Sequence, residues 1–274
     1  MSQYFYLIAT LPDLPFQAPL SEEEFEEVTD TIQRNLSEKH RQAFAFLRYP
    51  EDLQQLLFAI FRQQKQWPEV QPADPGVLEA EMLQNYRQRL REMPDFLFDF
   101  VHDHSNSFDS LPEGDIELLL QQYFMEAIGK QKDTFVKQWF AFDNDLRNWT
   151  AFLQAARFGY QPEQELLPDD YLKNQLVAGR SGLDKWSMEF PWLPRLRNAV
   201  GTGDPIKITD AVDFIRRERA AELMGTAFFS AAHVFSRYLQ LQVLHQRTRR
   251  TEEAGLQRLA DMRQQAMPEW QQTG

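Results

Sequence analysis

The sequence contains no cysteine, so neither a disulfide framework nor thiolate chemistry is open to it, and that usage fits the cytoplasm. Positive charge is in deficit: 29 Lys and Arg against 41 Asp and Glu give 29 − 41 = −12, with a pI of about 5.0. Such a balance argues against nucleic acid or an anionic lipid surface as a direct partner, and favours a basic or a small one. Long apolar runs are also missing. The N-terminal MSQYFYLIATLPDLP has an apolar run only from Tyr4 to Leu11, with no basic region before it and too little length to cross a bilayer. That run reads as a buried strand or as the first turns of a helix. Glycine is scarce, with 11 in 274 residues.

What is present is core material. Hydrophobic residues make up 43% and aromatics 13% of the chain, enough for one substantial core or for a few small helical units around a continuous one. The 15 prolines leave three long proline-free blocks, 20–49, 113–161 and 206–267, which are expected to be helical. The first opens on Ser21, three residues before Glu24, a capping-box spacing, and its acidic SEEEFEE suits the positive end of a helix dipole. The last is expected to begin near Thr209 or Asp210 and to turn Val212, Ile215, Ala220 and Leu223 inward before Gly225 permits a bend. Between the blocks, PEVQPADPG, MPDF, FDSLPEGD and GTGDP read as loops. No alternating strand pattern extends beyond residues 4–8, so the expected class is all-α. One all-α protein over 1–274 is expected, with helical sub-units 1–110, 111–200 and 201–274.

The middle block holds the most informative stretch, FDNDLRNWTAFLQAARFG. Trp139, Phe142, Leu146, Trp149, Leu153 and Ala156 recur at steps of three and four and form one core-facing stripe. Asp145, Asn148, Phe152 and Ala155 form the neighbouring stripe, which puts two polar groups one turn apart at the rim, placed to cap or tether another segment. A related pattern occurs earlier, in PEDLQQLLFAIFRQQ. Asp52 aligns with Asp145 at an offset of 145 − 52 = 93, and Leu53, Gln55, Leu56 and Ile60 then align with Leu146, Asn148, Trp149 and Leu153. Both segments continue toward an arginine, Arg62 or Arg157, and TEEAGLQRL near the C-terminus is a fainter third echo. Generic amphipathic helices share much of this pattern.

On these residues the chain resembles the C-type subunits of prokaryotic V/A-type ATPases, whose eukaryotic counterparts are the d-type subunits of V-ATPases. In that family, acidic and asparagine-bearing helices recur in three related helical units. Asp145, Asn148 and Trp149 carry the best match, Asp52, Gln55 and Leu56 the second, and residues 237–259 resemble the family's final helix pair. The opening YFYLIATLPDL is similar to the start of an uncharacterised bacterial family found beside V-type ATPase genes. Three departures stand out: Gln55 where asparagine is usual, a shorter chain, and a weak third unit. The resemblance implies a quasi-repetitive, non-catalytic coupling protein without a cofactor. It implies a cytoplasmic position, peripheral on the inner face of the membrane through the complex and without membrane insertion of its own. Its partners would be the D-type central-stalk subunit and the membrane rotor ring, in proton or sodium transport.

Enzymatic readings have thinner support. His102 and His104 could be two metal ligands, and Asp99, three residues before His102, puts a carboxylate and an imidazole on one helical face, yet HDHSNSFDS is polar and loop-forming and lacks the repeated Glu-x-x-His of a di-iron bundle. His40, His233 and His245 have no second ligand at useful spacing, and His233 is expected in the core, donating to a backbone carbonyl. GTGDP and GRSGLDK lack the spacing of a dinucleotide fingerprint or a P-loop and read as turns. Asp169 and Asp170 fit a helix N-terminus, and no serine sits in a nucleophile elbow.

Two further groups bear on partners. Trp186, Phe190 and Trp192 in KWSMEFPWLPRL form an apolar cluster that either presents a surface or plugs the core. Arg216, Arg217 and Arg219, and Arg247, Arg249 and Arg250, are either solvated helix faces or contacts for the acidic loops of a partner. Against the rotary-ATPase reading stand a stand-alone helical enzyme built on Asp99 to His104 and a general helical scaffold.

Overall fold

Ser21 opens the helix α2 (Glu22–Asn35) with the capping box its spacing implies: its hydroxyl accepts from the Glu24 N–H and the Glu24 carboxylate accepts from its own N–H, at 3.2 and 2.8 Å. The computed structural model describes residues 4–12, 20–65, 76–161, 166–167, 176, 183–226 and 228–248. Among them the chain is helical and contains no strand.

Before α2 the N-terminal apolar run takes the helical one of its two expected forms. Residues 5–10 form a short helix, α1 (Phe5–Thr10), and the buried residues Tyr4, Leu7 and Leu11 follow its three-to-four step where a strand would bury alternate residues. The first proline-free block is not one helix. The chain is extended at Leu36, and α3 (Glu38–Lys65) then runs through Pro50 with no break. A proline inside a helix forfeits one backbone hydrogen bond at a cost of about 3 kcal/mol. Here Leu47, Leu53, Leu56 and Ile60, each 0–1% exposed, supply the burial that offsets it.

After α3 come α4 (Ala80–Gln84), a 3₁₀ turn (Leu90–Glu92), α5 (Asp95–His104) and a second 3₁₀ turn (Phe108–Ser110). The middle block is split as well: α6 (Glu113–Lys130) ends at an extended Gln131, and Asp133 caps α7 (Thr134–Phe158) by accepting from the Val136 N–H at 3.1 Å. Gly159 closes α7 in the left-handed conformation that glycine adopts without strain.

The C-terminal part holds α8 (Leu183–Glu189), α9 (Leu193–Thr202), α10 (Pro205–Met224) and α11 (Ala231–Thr248). Helix α10 begins earlier than its apolar pattern suggests, because Asp204 caps it and Pro205 takes its first turn, so GTGDP is a helix start as well as a turn. Ile215 and Ala220 are buried on it, while Val212 and Leu223 are only half-buried. The turn at Gly225, φ 58°, separates α10 from α11.

Helices α10 and α11 pack against each other, α9 joins α10 and α7, and α3 touches α6, α7 and α11. One core cluster extends through these contacts from Tyr4 to Leu241. The boundary expected at 200/201 falls inside α9. Arg157, near the end of α7, donates to the Gly201 carbonyl at 2.6 Å and holds that end of α9 in place.

Candidate functional site

Helices α3 and α7 each bury polar residues in otherwise apolar faces, and those residues hold backbone that follows in the chain. On α3, Asp52 is 0% exposed, and its carboxylate accepts from the N–H groups of Val77 and Leu78 at 2.8 and 3.1 Å. One turn earlier Arg48 donates to the carbonyl of Gly76. Gly76 is required there: a Cβ on it would lie 2.1–2.6 Å from the Asp52 carboxyl group. Burial outweighs the two N–H bonds and the Arg48 charge and pushes the Asp52 carboxyl up to about 6. Gln55, one turn on, is buried too.

On α7, Asn148 is also 0% exposed. Its side-chain oxygen accepts from the Leu167 N–H at 2.7 Å and its amide donates to the Leu167 carbonyl at 3.4 Å. The N–H and the carbonyl of one residue are both satisfied by one amide, which accepts and donates at once. Asp145 is half-buried beside it. The core stripe holds for Trp139, Phe142, Leu146, Trp149 and Leu153, whereas Ala156 is exposed, since the last turn of α7 emerges from the bundle. The neighbouring stripe goes deeper than a rim: Asn148, Phe152 and Ala155 are all buried.

Trp149 stands at the centre of an aromatic wall. Trp186 and Phe190 lie 5.9 and 5.7 Å from it, and Trp192 packs 5.4 Å from Phe190 and 6.0 Å from Phe142. Trp186 and Trp192 are half-buried and Phe190 is buried, so this cluster seals α8 and α9 onto α7.

A polar cavity of about 290 Å³ lies between α3, α6, α7, α10 and α11. Two ion pairs border it, Arg216 to Asp143 at 2.8 Å and Arg147 to Glu117 at 3.1 Å. The 5%-exposed Asn144 also lines it, and its side-chain oxygen has no hydrogen-bond partner among the described residues. Sequence spacing pairs Asp143 with Asp145 at the rim of the helix, with no support for an acid–base role, and does not single out Asn144. The only signal for Asn144 is its place in a run of polar residues, Asp143 to Asp145 and then Asn148, inside an apolar helix.

The described members of the arginine groups are engaged within the chain. Arg219 pairs with Glu222 at 3.0 Å and Arg247 with Asp210 at 3.5 Å, in addition to Arg216 with Asp143. Arg217 has interactions of its own. Arg249, Arg250, Asp169, Asp170 and the TEEAGLQRL echo lie outside the described residues, as does most of GRSGLDK.

Asp99 and His102 are exposed, and His102 meets the adjacent Asp103 at 3.1 Å. His104 lies 3.3 Å from the Tyr123 hydroxyl, which donates to Asp103 at 2.8 Å. Among the described residues no group of three or more His, Cys, Asp or Glu is placed to hold a metal ion. His233 departs from expectation: it is half-buried, and its Nδ1 accepts from the Phe229 N–H at 3.4 Å instead of donating to a carbonyl. Burial, then the nearby Arg237, holds it below the usual histidine value.

These features define an all-α, multi-helix protein in which, among the described residues, no helix is long and apolar enough to cross a membrane. A family model described as "Protein of unknown function (DUF2764)" matches residues 1–265, and the chain belongs to that family. No curated protein and no solved structure matches it.

Proposed function

We propose that this chain is a non-catalytic coupling component of a bacterial V-type ATPase or ATP synthase, similar to the C-type subunits, linking the central stalk to the membrane rotor ring during proton or sodium transport. One observation carries the reading. The two helices that bear the Asp-x-x-amide pattern each use a polar residue of that pattern to fix the backbone that follows, Asp52 on Val77 and Leu78 and Asn148 on Leu167. Polar groups committed in this way set shape, and a part that transmits torque acts through shape and contacts. The aromatic wall around Trp149 stiffens the same helix. The D-type stalk subunit and the rotor ring are the expected partners, and the chain is expected at the inner face of the membrane through them.

The test is purification of the tagged chain from its native membranes in mild detergent. Stalk, head and ring proteins should be recovered with it. Recovery with none of them, while the remaining ATPase is intact and coupled, overturns the reading.

A further inference from the structure

Asn144 on α7 is 5% exposed and lines the cavity between α3, α6, α7, α10 and α11, where its side-chain oxygen has no hydrogen-bond partner among the described residues. A buried acceptor left unmet is destabilising, and folded chains keep few of them. The volume beside it, about 290 Å³, is roughly ten times the share of one water molecule in the liquid and close to that of the smallest ligand pockets. Its lining is also not that of a water pocket. Leu57, Phe124, Trp139 and Val243 stand in it with the polar groups, and such mixed walls suit an organic body that carries one polar head.

The charge of the lining selects the head. Glu51, Glu117 and Asp143 line the cavity with Arg147 and Arg216, three carboxylates to two guanidinium groups. Both guanidinium groups are committed, Arg216 to Asp143 at 2.8 Å and Arg147 to Glu117 at 3.1 Å, and Glu51 accepts from the Gln242 amide. Behind the lining, Asp213 acts on Arg216 from the same helix, while Asp52 and Arg48 of α3 hold the segment at Gly76, so the surroundings do not reverse the sign. A charge taken out of water must be both paired and hydrogen-bonded. The carboxylate surplus and the Asn144 oxygen meet both needs for a cation, whereas an anion would meet arginines already in use. A metal ion does not fit, since among the described residues no three His, Cys, Asp or Glu are grouped to hold one.

The cavity also has an entrance. A second cleft, of about 840 Å³, shares Glu117, Arg147, Leu167 and Arg216 with it. The Arg147–Glu117 pair therefore lies where the two spaces meet, and with its side chains 36% and 48% exposed it parts at little cost. Leu167, held by Asn148, is a fixed part of the same passage.

We propose that this cavity binds a small organic monocation, an alkyl- or arylalkyl-ammonium, which enters past the Arg147–Glu117 pair, donates to the Asn144 oxygen and lays its apolar body against the apolar part of the lining. The site is independent of the coupling role.

The experiment is isothermal titration calorimetry of the purified full chain near neutral pH with butylammonium and 2-phenylethylammonium, each beside the alcohol and the carboxylate of the same body. At least one amine should bind once per chain, with its alcohol and carboxylate about tenfold weaker or worse. Asn144→Leu removes the acceptor at similar volume. It should weaken the amine about tenfold or more yet melt no lower than the native chain, because no described group loses a bond. Asn144→Asp, which gives the acceptor a charge, should tighten the amine, and it decides the matter if the leucine variant does not fold. No heat from either amine at millimolar concentration means that solvent alone fills the cavity and overturns the inference. Equal or tighter binding of the carboxylate, or an unchanged amine affinity in the folded Asn144 variants, overturns it as well. A chain that co-purifies with ATPase components but takes up no amine sinks this inference alone, and one that binds the amine without them sinks only the coupling role.

Discussion

Replacing Asn148 by alanine tests whether the polar residues of α7 hold the fold. Asn148 is 0% exposed and Leu167 4%, so water cannot take over the bonds that are lost. The 2.7 Å bond from the Leu167 N–H is the main one, and the 3.4 Å bond to its carbonyl is weak. A buried N–H left without an acceptor costs about 1–3 kcal/mol. The space vacated by the amide adds about 1 kcal/mol. The variant should therefore lose about 2–4 kcal/mol in urea denaturation, with an unchanged m-value. Amide exchange at Leu167 should accelerate beyond the global loss, since the bond removed is its own. Asn148→Asp keeps the acceptor but sets a carboxylate oxygen against the Leu167 carbonyl, so it should be less stable at neutral pH than near pH 4. Asp145→Ala, at a half-buried site, should cost no more than about 1 kcal/mol. A loss under about 0.5 kcal/mol for Asn148→Ala, with unchanged exchange at Leu167, would refute the tether.

Three other expectations follow from the same structure. Because burial raises the folded Asp52 carboxyl to about 6, above its unfolded value, its contribution is fully present below about pH 4 and is lost as pH rises through about 6. The decline should reach about 3 kcal/mol, and Asp52→Asn should flatten it in urea midpoints taken from pH 4 to 7; an equal slope in both proteins would count against the assignment. Gly76→Ala drives a Cβ into that carboxyl group and should cost about 1–3 kcal/mol, with a smaller penalty when Asp52 is also changed to alanine. Arg216→Ala should destabilise the isolated chain, because this arginine is committed to Asp143 at 2.8 Å; a double-mutant cycle with Asp143→Ala showing no coupling would show the pair to be incidental.

How much of this is legible in the sequence depends on the range of the interaction involved. The all-α class, the Ser21 cap and the core stripe of α7 follow from local spacing, and local spacing is enough. The breaks at Leu36 and Gln131 escape a reading that takes only proline as punctuation, although Ser37 and Asp133 are cap-forming residues. Proline misleads in the other direction at Pro50, where tertiary burial overrides a local penalty. The partners of Asp52, Asn148 and Arg216 lie 25, 19 and 73 residues away, distances at which periodicity carries no information. The arginines look available for a partner because their carboxylates, Asp143 and Asp210, are distant in sequence or on another helix.

The repeat places two segment-holding residues of different chemistry, Asp52 on α3 and Asn148 on α7. In the alignment Asp52 stands over Asp145 and Gln55 over Asn148; on α3 the acid holds Val77 and Leu78, and on α7 the amide holds Leu167. The two positions are three residues apart, so both lie on one side of a helix and either can reach a chain laid across it. The partners explain the chemistry at each of these two sites. Two successive N–H groups, Val77 and Leu78, are served by an acceptor-only carboxylate, whereas one N–H and one carbonyl of Leu167 need a group that both accepts and donates. The identity of the polar residue thus follows from the direction in which the following segment crosses its helix. Exchanging the two, Asp52→Asn together with Asn148→Asp, should destabilise both sites even though the composition of the chain is unchanged. If the exchanged protein unfolds at the native urea concentration, the chemistry of the tethers does not matter and only their size does.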